Sequence, residues 1–461
     1  MIRVINTLLR KLITKITIRM KINTILSIVI LFTVWSCGTT AQEKYTIHIE
    51  PFSINEAPGI QSYSIGKSTD GKWLIVGGRI DGLHKMRPFE AFLKKENNTL
   101  AFVIDPKTKT TWKADLSILP TSIFEQLQST NQEHQQRENT LYIIGGYGYS
   151  ESKNNHITYP NLTAISIDDL VNAIIEKSDI QPYFRQITNP NLAVTGGQLG
   201  LLKDTFYLCG GQYFKGRYNP MGPNHGPGFT QEYTNEIRTF KIKDDGTNLS
   251  IENYTSTEDG QNLHRRDYNM VPQIFPDGEK GFTMFSGVFQ YDANIPWLNT
   301  VDIKEDSHKV NKDFNQLLSQ YHSAKVPIYD ADAKEMSTVF FGGLSQFQFD
   351  EAGELIEDIE VPFVKTISMV TRNADGSMLE KDLGIKMPAF LGSGAEFIPA
   401  SNEAIYLEND IIDLNAITHE KICIGYIYGG IESTAENIFF RNTGTQSTAS
   451  NQLFKVYLTK N

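Results

Sequence analysis

Six times along this chain, a short apolar run ends in a pair of glycines or in a close variant of that pair. The runs are rich in aromatic and β-branched residues, which favour a strand that is buried on both faces. Glycine lets the backbone leave such a strand at φ values that other residues avoid. The six runs are Trp73–Gly78, Leu141–Gly146, Phe206–Gly211, Phe282–Gly287, Val339–Gly343 and Gly425–Gly430. Six copies at comparable spacing form a repeat, and a repeat largely decides the fold.

A second strand follows each glycine pair after a loop of variable length. These second strands alternate polar and apolar residues, as half-exposed strands do, for example over Asn161–Asp168 and Asn235–Ile242. Successive glycine pairs are 56 to 87 residues apart. Because a four-stranded blade needs roughly 40–50 residues, each repeat holds one blade and its inserted loops.

The chain after residue 43 resembles the kelch family of β-propellers. The resemblance rests on the glycine-terminated runs and on the later strand of each repeat, which often opens with Asn. Two features depart from that family: Ser286-Gly287 replaces the fourth glycine pair, and the spaced Tyr and Trp residues are irregular. The resemblance implies an all-β fold, a six-bladed kelch-type β-propeller over residues 44–461. A β-sandwich or a β-helix is the alternative. Small helical inserts are predicted at 166–177 and, from a weaker pattern, at 311–319.

The two ends of the chain complement each other as strands. Residues 452–459 read as the third strand of the last blade. The stretch 44–52 precedes the first blade and alternates well, so we expect it to supply the fourth strand of the last blade. That pairing would remove two free strand edges, which otherwise invite aggregation.

Residues 1–36 have the pattern of a signal peptide. They contain six basic residues and no acidic residue, and an apolar run begins at Ile25. That run is shorter than the roughly 20 apolar residues of a transmembrane span. Met20 is an alternative start of translation.

Val34-Trp-Ser-Cys37 resembles a bacterial lipobox, with Trp35 as an unusual occupant. We therefore predict that Cys37 is lipidated, that 37–43 form a linker, and that the protein is anchored to a membrane. The expected location is the outer membrane, on either its periplasmic or its cell-surface side. The alternative is an ordinary secreted protein that is cleaved near Ala41.

Charge and motifs limit the classes of partner and cofactor. The formal net charge of −10 argues against nucleic acid, because phosphate binding needs a basic surface. The sequence has no His-x-x-x-His or Cys-x-x-Cys spacing, no Gly-x-Ser-x-Gly elbow and no phosphate loop. We therefore predict neither a metal nor a cofactor.

The predicted connections between strands are unequal in length. If the strands of a blade are lettered a to d from the axis outward, the b–c and d–a connections share one face of a propeller. The a–b and c–d connections share the other face, and they read as tight turns, as at Ser68–Gly71 and Pro276–Gly278. The long b–c connections are predicted at 79–98, 147–160, 212–234, 288–298, 344–363 and 431–450. Since binding loops are usually elaborated on a rigid scaffold, this long-loop face is the predicted binding face, opposite a short-turn face.

Candidate ligand-binding residues lie in four segments that should reach the long-loop face. Loop 79–98 carries Arg and His, loop 212–234 carries aromatic rings that can stack on a sugar, and residues 263–269 carry an Arg pair that can grip a carboxylate. The alternative is structural, with these side chains holding their own loops and the exposed backbone. The nine candidates are Arg79, His84, Arg217, Tyr218, His264, Arg265, Arg266, Asp267 and His322.

These features together predict an envelope-anchored binding module for a carbohydrate or a protein, without catalysis. One alternative is a sugar-processing enzyme resembling the sialic-acid (N-acetylneuraminate) mutarotase, in which the Arg pair, Asp267, His322 and Glu396 would serve as anion clamp and acid–base pair. Galactose oxidase is a poorer model, because neither Cys209 nor Cys423 lies in a loop suited to its cysteine–tyrosine copper site. A further alternative is a protein-interaction scaffold. Fold by itself does not decide among them.

Overall fold

The computed structural model of the chain describes residues 44–418 and 420–461. Residues Ile47–Lys460 form one compact unit, and Lys44–Thr46 with Asn461 belong to a second, in which the Asn461 amide donates to the Lys44 carbonyl. The predicted signal peptide 1–36, the linker 37–43 and Cys37 lie outside the described residues.

Six sheets of four consecutive antiparallel strands form the blades of a β-propeller, so the predicted fold class is confirmed. The first described strand, β1 (Tyr45–Pro51), belongs to the last blade. Blade 1 contains β2 (Ser64–Lys67), β3 (Trp73–Val76), β4 (Leu100–Asp105) and β5 (Thr110–Asp115). Blade 2 contains β6 (Glu133–Arg137), β7 (Thr140–Ile144), β10 (Asn161–Ser166) and β11 (Phe184–Thr188), with the hairpin β8 (Tyr147–Ser150) and β9 (Asn155–Thr158) between β7 and β10.

Blades 3 and 4 follow the same order. Blade 3 contains β12 (Gln198–Leu202), β13 (Thr205–Cys209), β16 (Glu236–Asp244) and β17 (Leu249–Glu258), with the hairpin β14 (Gln212–Gly216) and β15 (Phe229–Tyr233) inserted after β13. Blade 4 contains β18 (Asn269–Ile274), β19 (Lys280–Phe285), β20 (Thr300–Lys304) and β21 (Ser307–Asn311).

Blades 5 and 6 each carry small additional strands. Blade 5 contains β22 (Ala324–Asp330), β23 (Glu335–Phe341), β26 (Thr366–Arg372) and β27 (Met378–Lys386), with the hairpin β24 (Phe347–Phe349) and β25 (Leu355–Glu357) and the parallel strand β29 (Ile412–Asp413) beside β22. Blade 6 contains β28 (Phe390–Pro399), β30 (Ile422–Ser433), β32 (Leu453–Lys460) and β1, with β31 (Ser447–Ala449) paired to β30. The first strands of successive blades contact one another, so they surround a central axis.

The predicted closure by an N-terminal strand is confirmed, because β1 pairs with β32 as the outermost strand of blade 6. The Phe52 amide donates to the Leu453 carbonyl at 2.8 Å, so the end of β1 lies beside the start of β32. Since β32 begins at the end of a b–c connection, β1 runs from the short-turn face toward the long-loop face.

The glycine pairs let strand b of one blade pass close to the backbone of the next blade. Gly145, the first glycine of its pair, has φ 65°, and a Cβ there would lie 2.0 Å from the Val194 carbonyl oxygen of blade 3. L-residues rarely adopt that backbone conformation, and a side chain at that distance would clash. The positive φ and the close approach to the next blade both require glycine, which explains why the glycine pair recurs in the sequence.

The exception in blade 4 predicts a stabilising substitution. Ser286 occupies the position of the first glycine with φ 55°, and its Oγ is buried without a hydrogen-bond partner in the described chain. An unpaired buried hydroxyl costs about 1–3 kcal/mol and a left-handed backbone about 1–2 kcal/mol, against about 0.5–1 kcal/mol for the greater freedom of unfolded glycine. We expect Ser286→Gly to raise the free energy of unfolding by at least about 1 kcal/mol in urea titrations.

Ser62 provides a matched control for that substitution. It also has a positive φ, 53°, but its hydroxyl donates to Gln61 Oε1 at 2.6 Å. Ser62→Gly should therefore raise the free energy of unfolding by less, because the relief of backbone strain is offset by the loss of a hydrogen bond. A Ser286→Gly protein no more stable than wild type would contradict this account of the glycine pairs.

Within residues 44–418 and 420–461, two α-helices interrupt the β-structure, α1 (Thr121–Leu127) and α2 (Ile167–Glu176). The predicted insert at 166–177 is confirmed as α2, which packs on β4, β5 and β10. The predicted helix at 311–319 is wrong: the Leu317 and Leu318 amides donate to the Glu380 carboxylate, so their backbone is satisfied outside a helix. No helix within the described ranges is long and apolar enough to cross a membrane.

Short 3₁₀ turns complete the described secondary structure. They are Pro88–Glu90, Lys94–Glu96, Leu116–Ile118, Gln181–Tyr183, Pro190–Leu192, Pro223–His225, Glu403–Ile405, Glu408–Asp410, Leu414–Ala416 and Phe439–Arg441.

The six long b–c connections lie on one face of the propeller, as predicted. They cover 77–99, 145–160, 210–235, 286–299, 342–365 and 434–452. The expectation that the other face carries only tight turns is wrong in two places. Residues 167–183 of blade 2 carry α2, and residues 400–421 of blade 6 form a long a–b insertion.

Candidate functional site

The innermost strands of all six blades line a central channel. A cavity of about 230 Å³ runs along it from Ser62, Asn131 and Asp267 at the long-loop end to Asn409 and Asp410 at the short-turn end. We call the long-loop end the mouth. A second cavity of about 410 Å³ opens at the short-turn face beside the 400–421 insertion and shares His134 and Glu396 with the first.

A lysine and a glutamate from adjacent blades face each other across the channel wall. Lys325 Nζ on β22 lies 3.9 Å from Glu396 Oε2 on β28, and both side chains are largely buried. Because hydrogen bonds of this kind are about 2.7–3.2 Å long, the two groups attract each other without filling each other's hydrogen-bonding capacity. Both remain able to bind a further polar group.

Two histidines line the same cavity. Burial lowers the pKa of His134 and of His322, although the negative charge of Glu396 acts in the opposite direction on each. Both imidazoles are therefore mainly neutral at neutral pH. The ring of His322 has no hydrogen-bond partner in the described part of the chain. It is free to donate one hydrogen bond and accept another.

A buried carboxyl group adjoins the histidines. Glu133 is 2% exposed, and its Oε1 accepts the Gly197 amide at 2.8 Å. Its other oxygen, Oε2, has no partner among the described residues. Burial raises the pKa of Glu133 to about 8, so the group is mainly protonated at neutral pH. It therefore adds little negative charge beside the channel.

An arginine–aspartate ion pair lies at one side of the mouth. Arg266 Nη1 donates to Asp267 Oδ2, and Arg266 also lies 5.0 Å from the ring of Phe289. Asn131 Nδ2, on the other side of Gly196, donates to Asp267 Oδ1 at 3.4 Å. Asp267 is therefore paired with one cation and keeps acceptor capacity toward the cavity.

An aromatic layer from the long loops lies beside this pair. The His84 ring centroid is 4.6 Å from that of Tyr218 and 5.4 Å from that of Phe439. Burial lowers the pKa of His84 to about 4, and the charge of Arg266 lowers it further. Burial raises the pKa of Tyr218, and Arg266 opposes that rise. The charge of Arg266, at the mouth, therefore acts on two side chains of the aromatic layer.

Arg79 holds the first long loop of this layer. Its guanidinium binds both oxygens of Asp81, at 2.7 and 2.8 Å, and donates to Asn97 Oδ1 at 2.9 Å. It also lies 5.0 Å from the ring of Phe92. These contacts make Arg79 a support for the aromatic layer.

The structure separates the predicted Arg pair. Arg265 is 0% exposed, and its guanidinium donates to the carbonyls of Asn262, Ser286 and Asn299. Burial lowers its pKa to about 9. Arg265 therefore stabilises the backbone around blade 4 and does not present its donors at the mouth, which corrects the expectation of two adjacent guanidinium groups there.

Two other predicted residues lie on the long-loop face away from the cavity lining. His264 stacks between Tyr233 and Tyr291, with ring centroids 3.7 and 3.9 Å away. Arg217 donates to the Phe89 carbonyl at 3.1 Å. Of the nine predicted residues, Asp267 and His322 line the cavity itself.

Sequence reasoning overlooked several lining residues. Asn131, Glu133, Gln198 and Lys325 all border the cavity. The available signal was a polar or charged residue within an otherwise apolar innermost strand, as Lys325 stands between Ala324 and Val326. Charged residues are rarely buried without a partner, so such positions indicate either pairing or a site.

Comparison with known proteins adds little to this geometry. No family model matches the chain, and no curated protein matches it. Among 196 matching chains of solved structures, one is described as "Structure of YjhT", with 12% sequence identity and a TM-score of 0.46 over 86% of this chain and 95% of that chain. A similarity at that level carries no argument, so the six-bladed architecture rests on the strand pairing of this chain.

Proposed function

We propose that this chain is a carbohydrate-binding protein that holds a small neutral saccharide in its central channel. The observation that carries the proposal is the convergence of unfilled hydrogen-bonding groups on one cavity. His322, Lys325 and Glu396 offer donors and acceptors side by side. A sugar hydroxyl is both a donor and an acceptor, so it can satisfy such a mixed set.

The size of the cavity fits a small ligand. Pockets for drug-sized molecules measure about 300–1,000 Å³, whereas this cavity measures about 230 Å³. The aromatic layer around His84 and Tyr218 adds ring faces near the mouth, where a sugar can stack.

The charges of the channel favour a neutral ligand over an anionic one. Lys325 faces Glu396, and Arg266 is bound to Asp267. Arg265 is bound to backbone carbonyls. The described lining residues therefore offer no surplus of positive charge for a carboxylate. This argues against the alternative of an enzyme acting on N-acetylneuraminate, which would need a free cationic clamp.

A protein ligand is the second candidate, favoured by exposed apolar side chains on the loop tips. Phe89, Ile359 and Phe440 are 67%, 73% and 66% exposed, and they come from the b–c connections of the adjacent blades 1, 5 and 6. Clusters of exposed apolar residues often mark protein-binding surfaces. Replacing Ile359 and Phe440 with Ser should abolish chemical cross-linking to such a partner and leave saccharide binding unchanged.

The carbohydrate proposal is tested by titration calorimetry of the full-length protein in detergent. The ligands are neutral mono- and disaccharides, with N-acetylneuraminate as the anionic comparison. We expect saturable binding of at least one neutral saccharide, and a tenfold or greater loss for Glu396→Gln, since one hydrogen bond to a charged group contributes about 1.5–3 kcal/mol. Glu354→Gln, in the exposed turn between β24 and β25, is the control and should bind as wild type does. Binding of N-acetylneuraminate alone, or of no saccharide, would contradict the proposal.

We also propose that lipidated Cys37 anchors the protein in the cell envelope, at the outer membrane. The basic residues, the apolar run and the Val34–Cys37 motif support this. Cys37→Ser should move the protein from the membrane fraction to the soluble fraction, whereas Cys423→Ser should not. Retention of the Cys37→Ser protein in the membrane fraction would refute the anchor. The exclusion of nucleic acid as a partner stays a prediction.

A further inference from the structure

One residue of each blade occupies an equivalent left-handed position where the innermost strand meets the mouth. The six are Ser62 (φ 53°), Asn131 (51°), Gly196 (69°), Asp267 (51°), His322 (53°) and Gly394 (71°). We call them the mouth ring. Their recurrence once per blade follows from the repeated path of the chain from d to a.

Backbone hydrogen bonds join neighbouring members of the mouth ring across the blade boundaries. The Asn131 amide donates to the Ser62 carbonyl at 3.3 Å, the Gly196 amide to the Asn131 carbonyl at 3.2 Å, and the Asp267 amide to the Gly196 carbonyl at 2.7 Å. On the other side of the ring, the Gly394 amide donates to the His322 carbonyl at 2.7 Å, and the Ser62 amide to the Gly394 carbonyl at 2.9 Å. These bonds hold the backbone in the left-handed region whatever the side chain is, and Asp267 and His322, which are not bonded to each other in the described chain, take part in one bond each. Glycine adopts that region most easily, and blades 3 and 6 carry glycine there.

The other four positions all carry polar side chains, and all four residues line the cavity. Ser62 donates its hydroxyl to Gln61, so it is satisfied within the protein. Asn131 and Asp267 approach each other above Gly196 at 3.4 Å. The imidazole of His322 is unpartnered among the described residues, as noted above. Non-glycine residues held in the left-handed region cluster at functional sites.

We infer that Asn131, Asp267 and His322 are specificity-determining residues of the channel, and that they contact hydroxyl groups of the bound saccharide at the mouth. A Cβ at Gly196 would lie 2.9 Å from Asp267 Oδ1, and one at Gly394 would lie 2.7 Å from Ser62 Oγ, so glycine at these two positions leaves room for the polar side chain of the neighbouring ring member. This inference rests on the proposed function. It assigns the selectivity of the site to the mouth ring, whereas Lys325 and Glu396 lie deeper in the channel.

The first test measures stability and needs no ligand. If the imidazole of His322 serves binding, His322→Gly relieves backbone strain and removes no internal hydrogen bond, so its Tm should equal or exceed that of wild type. His322→Ala keeps the strain, so its Tm should be lower than that of His322→Gly. Lys334 is the matched control, because it has the same φ of 53° in the exposed a–b turn of the same blade. A Tm several degrees below wild type for both His322 variants, with normal Lys334 variants, would show a structural role and overturn the inference.

The second test measures binding by the same variants. The probe is the neutral saccharide that wild type binds most tightly in the calorimetric panel. His322→Gly, His322→Ala and Asn131→Gly should each weaken binding tenfold or more, while Lys334→Gly and Lys334→Ala should not change it. If wild type binds a saccharide and the His322 variants bind it equally well, the inference fails and the proposed function stands. If wild type binds no saccharide, the proposed function fails, and the inference fails with it.

Discussion

Removal of β1 is expected to abolish the cooperative unfolding of the propeller. Without β1, blade 6 has three strands, β32 exposes an unpaired edge, and the buried side chain of Ile47 is lost. The ring is then held at that blade only by contacts between neighbouring sheets. We expect thermal unfolding followed by circular dichroism to broaden into more than one transition and to begin about 10 °C or more below wild type.

A synthetic peptide of residues 44–52 should restore the cooperative transition, because an added strand can pair with the free edge of β32. A peptide of the same composition in scrambled order is the control. An unchanged melting curve after removal of β1 would mean that the ring does not depend on this strand for closure.

Gly145→Ala is the second substitution with a large expected effect. The new Cβ would lie 2.0 Å from the Val194 carbonyl oxygen and 2.8 Å from Glu133 Oε2, at a backbone φ of 65°. The left-handed backbone costs about 1–2 kcal/mol for alanine, and forced overpacking costs about 1–3 kcal/mol. We therefore expect a loss of about 3 kcal/mol in the free energy of unfolding, measured in guanidinium titrations.

Gly278→Ala is the matched control for that loss. Gly278 has φ 83°, but a Cβ there would meet nothing within 4 Å. Gly278→Ala should therefore lower the free energy of unfolding only by the backbone contribution, about 1–2 kcal/mol. Equal losses at the two positions would show that the close approach between blades is not what requires glycine.

The architecture was predictable because the sequence repeats the same local pattern, an apolar strand ending in a glycine pair, six times. The glycine-terminated strands, the blade number and the pairing of β1 with β32 all follow from repetition and strand alternation. Single features were harder to predict. Seven-residue α1 is too short for a clear periodicity, and residues 311–319 have a helical pattern that the Glu380 carboxylate overrides by binding two of their amides.

The site was only partly predictable, because side-chain direction depends on three-dimensional context. Arg265 and Arg266 are adjacent in the sequence, yet one is enclosed by backbone carbonyls and the other pairs with Asp267. Which residues of an innermost strand reach the channel is decided by how six blades meet. The sequence identified Asp267 and His322 from their place before a strand, but it contained no sign that Lys325 and Glu396 would face each other.

If Cys37 carries the proposed lipid, the direction of β1 bears on how the molecule is oriented on a membrane. Because β1 enters the propeller at the short-turn face, a lipid on Cys37 would draw that face toward the bilayer. The mouth ring and the aromatic layer would then point into the aqueous compartment, from which a small saccharide would enter. The second cavity, beside the 400–421 insertion, would instead face the lipid headgroups.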